Sequence, residues 1–237
     1  MINSLPTSMN HYIVNICKIF TNIMAKTWKD KDISLEPLKD QTIAVIGYGI
    51  QGDAQANNMK DSGLKVIVGL KEGGNSWEKA KSDGHKVMSV SDACKQGDII
   101  HVLIPDMIQS QVYKDEIGPN LSAGKALSFS HAAAIHWKWI EAPNNVDIIM
   151  VAPKGPGSKV RETYLENFGI PAIVAVHQDF TGKAWDRTLG IAKAIGSARA
   201  GLIKTTFQEE VETDWFGEQA DLCGGSASMV KAAFETL

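Results

Sequence analysis

Cysteine is scarce in this chain: three among 237 residues, Cys17, Cys94 and Cys223, widely spaced. That argues against a disulfide framework and against a cysteine-built zinc site. A basic surplus is missing too, because 24 Lys and Arg face 27 Asp and Glu for a net charge of −3. Proteins that neutralise nucleic-acid phosphates show the opposite balance, so no nucleic-acid partner is expected. No run approaches the roughly 18 apolar residues of a membrane-spanning helix. Acids are absent from the first 29 residues, which carry Lys18, Lys26 and Lys29, and no arginine precedes Arg161. An organelle transit peptide is acid-poor but Arg-rich. Residues 1–23 are therefore expected to be an unordered extension or leader, with Met24 opening the functional protein. The chain is expected to be cytoplasmic and reduced, the alternative being an organelle if residues 1–23 are a transit segment.

What is present is a soluble globular composition, 44% hydrophobic and 22% charged, arranged as β-branched runs alternating with helical stretches. Strands are expected at Thr42–Ile46, Lys65–Leu70, Asp98–Ile104, Ala126–Phe129, Asp147–Ala152, Ala172–Val176 and Gly201–Thr206. Several are continuous apolar runs, as in parallel strands buried on both faces. Between them, Gln51–Ser62, Ser76–Ser82, Ile108–Asp115 and Thr181–Ala194 read as helices. Strand alternating with helix predicts an α/β fold with a doubly wound parallel sheet over residues 24–206. Residues 207–237 read as two helices broken at Gly224-Gly225, the second ending without a stop signal. They are expected to open an all-α second domain of which only the start is present.

The strand Thr42–Ile46 runs into Gly47-Tyr48-Gly49-Ile50-Gln51-Gly52, a G-x-G-x-x-G pattern at a strand–helix junction. There the first glycine permits a tight turn, the second lets the backbone approach a pyrophosphate, and the third lets helix and strand pack closely. The amides at the helix start would receive the anion. This is a Rossmann-type dinucleotide site. The cofactor's identity is read at the end of the second strand, where an acid would hold the ribose hydroxyl of NAD. Lys71 and Ser76 stand there instead and suit a 2′-phosphate, which favours NADP, although Glu72 would serve NAD if it faced the ribose.

Glu210, Asp214 and Glu218 are spaced by four, so a helix stacks them on one face, where like charges repel. A divalent cation would offset that repulsion, and carboxylate oxygens suit Mg²⁺. A solvated acidic face is the other reading. His131 and Lys154 each follow a predicted strand, at the carboxyl edge where open α/β sheets bind ligands. Each is as compatible with a structural role as with a functional one. His101, His136 and His177 are read as structural.

Together these segments resemble ketol-acid reductoisomerase over about Ala25–Leu237. The resemblance rests on Asp32-Ile33-Ser34-Leu35-Glu36-Pro37-Leu38, the run Thr42–Gly49, Ser128-Phe129-Ser130-His131, Met150–Gly157, Arg199-Ala200-Gly201 and Glu212–Gln219. It implies a homo-oligomeric, NADPH-dependent enzyme of branched-chain amino-acid synthesis, acting on 2-acetolactate or its ethyl homologue. An Mg²⁺-dependent alkyl migration is followed by hydride transfer from NADPH. The resemblance further implies that His131 and Lys154 are active-site residues. Asp214 would bridge two magnesium ions and Glu218 would ligate one of them. Tyr48, Gly49, Ile50, Gln51, Lys71, Ser76, Asp106, Gln109 and Gly157 fall on cofactor-contact positions, beside Gly47 and Gly52 of the glycine pattern.

Departures from the family pattern carry expectations of their own. Ile50 stands where serine is usual and Asp53 where histidine is usual, and both are expected to weaken cofactor binding. Ala132 and Ser158 replace a common glycine and histidine. Further glutamates that complete the family's metal site lie beyond Leu237, so this chain alone is expected to bind nucleotide but turn over slowly or not at all. The alternatives are a nucleotide-binding remnant without catalysis and a metal-independent NADP-linked hydroxyacid dehydrogenase.

Overall fold

The computed structural model describes residues 25–236; the expected leader, residues 1–23, lies outside them. Nine strands form one sheet: β1 (Thr27–Trp28), β2 (Thr42–Ile46), β3 (Lys65–Gly69), β4 (Lys86–Met88), β5 (Ile99–Val102), β6 (Ala126–Phe129), β7 (Asp147–Pro153), β8 (Ala172–Gln178) and β9 (Leu202–Lys204). The principal helices are α1 (Ile50–Asp61), α2 (Asn75–Ser82), α3 (Val90–Gln96), α4 (Asp106–Val112), α5 (Gly157–Leu165), α6 (Ala184–Ala194), α7 (Phe207–Gly217) and α8 (Gly225–Thr236).

The sheet order is β1-β9-β8-β7-β6-β5-β2-β3-β4. Strand order reverses between β2 and its neighbour β5, which opens a crevice at the carboxyl ends, the usual ligand position in this architecture. Alternation along β2 supplies both faces of the sheet: Ile43 and Val45 join one core cluster, Ala44 and Ile46 the other. Met59 of α1, Ala80 of α2 and Ile191 of α6 pack on the first face. Ala93 of α3 with Phe207 and Val211 of α7 pack on the second. The chain is thus a Rossmann-type α/β fold with its sheet covered on both sides, as the apolar runs require.

The sheet is mixed, however, where parallel strands throughout were expected. β4, β3, β2, β5, β6 and β7 are parallel, but β8 pairs antiparallel to β7 and β1 antiparallel to β9. After β7, α5 packs along α1, and the Lys154 amide donates to the Pro171 carbonyl at 2.9 Å. That bond sets the start of β8 beside the end of β7, so β8 can only run back. The sequence carries no trace of this, because a buried strand reads the same in either direction.

Short elements escaped the pattern: β1 has two residues and β4 three, too few to show a period. α6 starts at Ala184 rather than Thr181 because the preceding residues are engaged by a buried acid. Asp147 accepts from the amides of Phe180 and Thr181, both at 2.9 Å, and from the Thr181 hydroxyl at 2.6 Å. It also pairs with Arg187 at 2.7 Å.

His101 on β5 is fully buried, its ring nitrogens 2.8 Å from Ser128 Oγ and 2.8 Å from Gln55 Oε1. Gln55 Nε2 donates in turn to Ser130 Oγ and to Gln51 Oε1, each at 3.1 Å. His101 is structural, as expected, and it anchors the side-chain chain that reaches the crevice. Burial pushes its pKa down to about 4 from an ordinary 6.5. The unfolded chain therefore binds a proton that the folded chain refuses as pH falls below 6.5, and stability declines from there until about pH 4. Melting curves across that interval should show the decline, and His101→Gln should remove part of its slope. An unchanged slope in the variant would contradict the assignment.

Candidate nucleotide and metal site

The glycine turn is built as its spacing requires. Gly47 has φ +99°, and a Cβ there would lie 2.7 Å from the Leu103 carbonyl oxygen. A Cβ on Gly52 would collide with the Gly47 carbonyl oxygen, so the third glycine is what lets α1 sit close to β2. Around Gly49 the position of a Cβ is open, with no atom within 4 Å. Gly49 caps α1 without a side-chain hydrogen bond, which leaves the amides of Ile50, Gln51 and Gly52 available to an anion. A cleft of about 580 Å³ lies over this turn, lined by Gly47, Gly49, Gln51, Ser76, Ile104 and Asp106 among others. Open space over uncapped amides fits a pyrophosphate.

The other expected contacts divide between this cleft and its supports. Ser76 in the first turn of α2 lines the cleft, while Lys71 stands exposed in the preceding turn. Tyr48 also lines the cleft, and its side chain is buried and bonds Asp83 and Asn57. Gln109 is buried, donating to the Ile104 carbonyl and the Asp106 carboxylate, both at 2.9 Å. Burial raises the pKa of Asp106, as do the negative charges of Glu210 and Asp214. Ile50 is exposed. The expectation that Asp53 repels phosphate needs correction, because Lys79 Nζ lies 2.7 Å from Asp53 Oδ2 and offsets its charge.

A second cleft of about 620 Å³ lies at the ends of β6 and β7, lined by His131, Lys154, Glu210, Asp214 and Glu218 among others. It adjoins the first through two contacts. Gln51 Nε2 donates to the Gly155 carbonyl at 3.1 Å, and a Cβ on Gly157 would collide with the Ile50 carbonyl oxygen. Gly157 thus serves close packing of two helix starts.

Glu210 is the centre of this cleft; sequence reading placed it only in the carboxylate row and gave it no part of its own. It is 1% exposed. Its Oε2 accepts from the Ala132 amide at 2.8 Å, its Oε1 lies 2.9 Å from Lys154 Nζ, and His131 Nδ1 is 3.1 Å from Oε2. Asp214 Oδ1 takes the same ammonium at 2.8 Å. A usable signal existed: Phe207, Glu210, Val211 and Asp214 form one stripe of α7, and an acid among apolar residues on a docking face must be partnered. Burial would raise the Glu210 pKa, but the His131 hydrogen bond and the Lys154 charge hold it below its ordinary value. Burial would likewise lower the pKa of Lys154 and His131, yet the facing carboxylates raise both.

Glu218 opens a wider helical turn, Glu218–Leu222, and accepts from Cys223 Sγ at 2.7 Å. One ligand atom each from His131, Glu210 and Asp214 lie within 4.8 Å of one another. Asp214 and Glu218 add carboxylate oxygens one helical turn apart on the rim, a donor set that suits a hard divalent cation. His136 and His177 face a separate groove of about 660 Å³ beside Phe207.

Removing a partner from a buried ion pair leaves the other charge stranded, so Glu210→Gln is expected to cost roughly 2–3 kcal/mol of stability. The more exposed Asp214→Asn is expected to cost about 1 kcal/mol or less. Urea unfolding of the two variants checks the difference, and equal losses would contradict this geometry.

Comparison with known proteins agrees with the fold. Residues 37–201 match the family described as acetohydroxy acid isomeroreductase, NADPH-binding domain, and residues 207–237 match the ketol-acid reductoisomerase C-terminal domain. The ketol-acid reductoisomerase (NADP(+)) of Nitrosopumilus maritimus is 88% identical over 214 residues, and that of Cenarchaeum symbiosum 81%. Each alignment covers 90% of this chain and 64% of the relative, so the chain spans about 64% of the length of these curated relatives. The solved structure of an NADH-preferring ketol-acid reductoisomerase from an uncultured archaeon superposes with a TM-score of 0.86 at 48% identity, covering 90% of this chain and 66% of that one. Among the described residues, no helix is long and apolar enough to cross a membrane. With a dinucleotide turn and a carboxylate cluster at one sheet edge, and a family match across most of its length, the chain belongs to the ketol-acid reductoisomerases.

Proposed function

We propose that this chain supplies the NADPH site and the first metal-binding carboxylates of a ketol-acid reductoisomerase. The substrates would be 2-acetolactate and 2-aceto-2-hydroxybutyrate, converted to 2,3-dihydroxy acids in valine, isoleucine and leucine synthesis. The observation that carries this reading is the contact between the two clefts, where Gln51 bonds Gly155 beside Lys154.

In this reading the pyrophosphate rests on the amides of Ile50, Gln51 and Gly52. Ser76, with Lys71 in the turn before it, receives the 2′-phosphate. Asp214 and Glu218 hold Mg²⁺ through oxygen ligands. Two such ions, when bound, would polarise the substrate ketone and stabilise the alkoxide left when the hydroxyl loses its proton. NADPH supplies the hydride of the second half-reaction.

The chain's own groups hold and move protons. Alkyl migration requires a proton to leave the substrate hydroxyl, and reduction requires one to arrive on the reduced oxygen. His131, Glu210 and Lys154 are joined by hydrogen bonds at the cleft wall, which supports a relay role. His131 and Lys154 face the cleft, and Glu210 beneath them orients both. Lys154 also brings positive charge to the place where oxyanion charge develops.

The NADH preference of one structural relative, together with Glu72 beside Lys71, makes cofactor choice worth measuring directly. Fluorescence titration is expected to give saturable NADPH binding that is tighter than NADH binding. Gly49→Ala fills the open space over the turn without striking protein atoms. It should therefore leave stability within about 1 kcal/mol while weakening NADPH at least about tenfold, or about 1.4 kcal/mol. Undiminished NADPH affinity in a folded Gly49→Ala protein would refute this placement of the pyrophosphate.

A further inference from the structure

Behind the glycine turn lies a closed ring of side chains built on Tyr48, one of the residues that line the nucleotide cleft. Tyr48, between the first two glycines, is 3% exposed. Its hydroxyl donates to Asp83 Oδ2 at 2.8 Å and accepts from Asn57 Nδ2 at 2.9 Å. Asn57 Nδ2 also donates to Asp53 Oδ1 at 2.8 Å. Lys79 completes the circuit, with Nζ 2.7 Å from Asp53 Oδ2, 3.0 Å from Asp83 Oδ2 and 5.1 Å from the centre of the Tyr48 ring. Lys60 Nζ supports the same corner by donating to the carbonyls of Asp83 and Gly84, at 2.7 and 3.1 Å.

The ring joins elements that carry the two ends of the nucleotide cleft. Asp53 and Asn57 belong to α1, whose first turn offers the pyrophosphate amides. Lys79 belongs to α2, whose first turn carries Ser76, and Asp83 is the residue at which α2 ends. Ser76 and Gly49 line one cleft. The two helix starts are thus tied together by a ring that lies one to two helical turns behind them. Neither ion pair alone holds much, since the Lys79 side chain is about half exposed and such pairs contribute little singly. Closure around a buried phenol is what gives the ring its geometric force, because moving α2 breaks the Lys79–Asp53 and Tyr48–Asp83 bonds together.

We propose that Lys79, through the ring it closes with Asp53, Asp83 and Tyr48, is a positioning residue for nucleotide discrimination. It holds α2 at the separation from α1 that a 2′-phosphorylated dinucleotide requires. The inference rests on the NADPH reading above. It makes a directional claim: loosening α2 disturbs the 2′-phosphate end at Ser76 and leaves the pyrophosphate end on α1 intact. The ring also gives Asp53, an acid where histidine is usual in the family, a constructive place. Its charge is held by Lys79 and turned into the helix–helix contact.

The test is parallel titration of NADPH and NADH into the full chain and into Lys79→Met, Lys79→Arg and Tyr48→Phe, with melting temperatures measured alongside. Lys79→Met is expected to raise the NADPH Kd about fivefold or more while changing the NADH Kd by less than about twofold. Lys79→Arg should restore most of the loss, because a guanidinium can still bridge two carboxylates. If Lys79→Met does not fold, Tyr48→Phe carries the test, since it opens the ring by one hydroxyl and is expected to shift the same ratio in the same direction. An unchanged ratio of the two Kd values in folded variants, or an equal loss for both nucleotides, would overturn the proposal. Failure of the unsubstituted chain to bind either nucleotide would instead overturn the cofactor reading, and this inference with it.

Discussion

Gly157 lies so close to Ile50 that no side chain fits between them, and that contact makes one site out of two clefts. It brings the start of α5 onto the start of α1, so the turn after β7 lies against the glycine turn after β2. The Gln51–Gly155 hydrogen bond follows from this approach, and so does the nearness of Lys154 to the nucleotide cleft. Any residue larger than glycine at 157 would push the turn that carries Lys154 away from the glycine turn. The reaction proposed above, in which a hydride would reach a carbon whose oxygen a metal ion polarises, would depend on that distance.

The second dependence is electrostatic. α7 and the wider turn after it bring three acids towards β6 and β7, and the first of them, Glu210, is almost completely buried. Lys154, His131 and the Ala132 amide satisfy it, so the strand ends and α7 hold each other in place through charge-assisted bonds. Repulsion along the i, i+4 row is relieved at Glu210 and Asp214 by Lys154. Glu218 sits further out on a wider turn and leans on Cys223. The arrangement is graded, with a buried, fully partnered carboxylate inside and oxygen donors at the rim where a hydrated cation can reach them.

Much of this was legible in the sequence where local rules suffice. Thr42–Ile46 with Gly47, Gly49 and Gly52 announced a strand, a turn and a helix start, and the structure builds them within one residue of the expected bounds. The same holds for α1 and β6, whose apolar patterns are long or flanked by clear turns. What stayed hidden depends on contacts between distant segments. The reversed direction of β8 is set by the Lys154–Pro171 bond, and no periodicity encodes it. Asp53 read as a liability because its partner, Lys79, lies 26 residues away on another helix. Tyr48, expected from the resemblance to fall on a cofactor-contact position, does line the cleft, but the bond of its phenol to Asp83 could not be read from its sequence neighbours. Glu210 was aligned with the other acids, yet its burial came from α7 docking on the sheet.

The central claim is that a dinucleotide rests on bare amides at the mouth of β2, in reach of the turn that carries Lys154. Amide NMR spectra of the chain during an NADPH titration examine both halves at once. The account predicts that the resonances of Ile50, Gln51, Gly52 and Gly155 move together on one saturation curve. Shifts confined to other parts of the sheet, with those four unmoved at saturating NADPH, would contradict it.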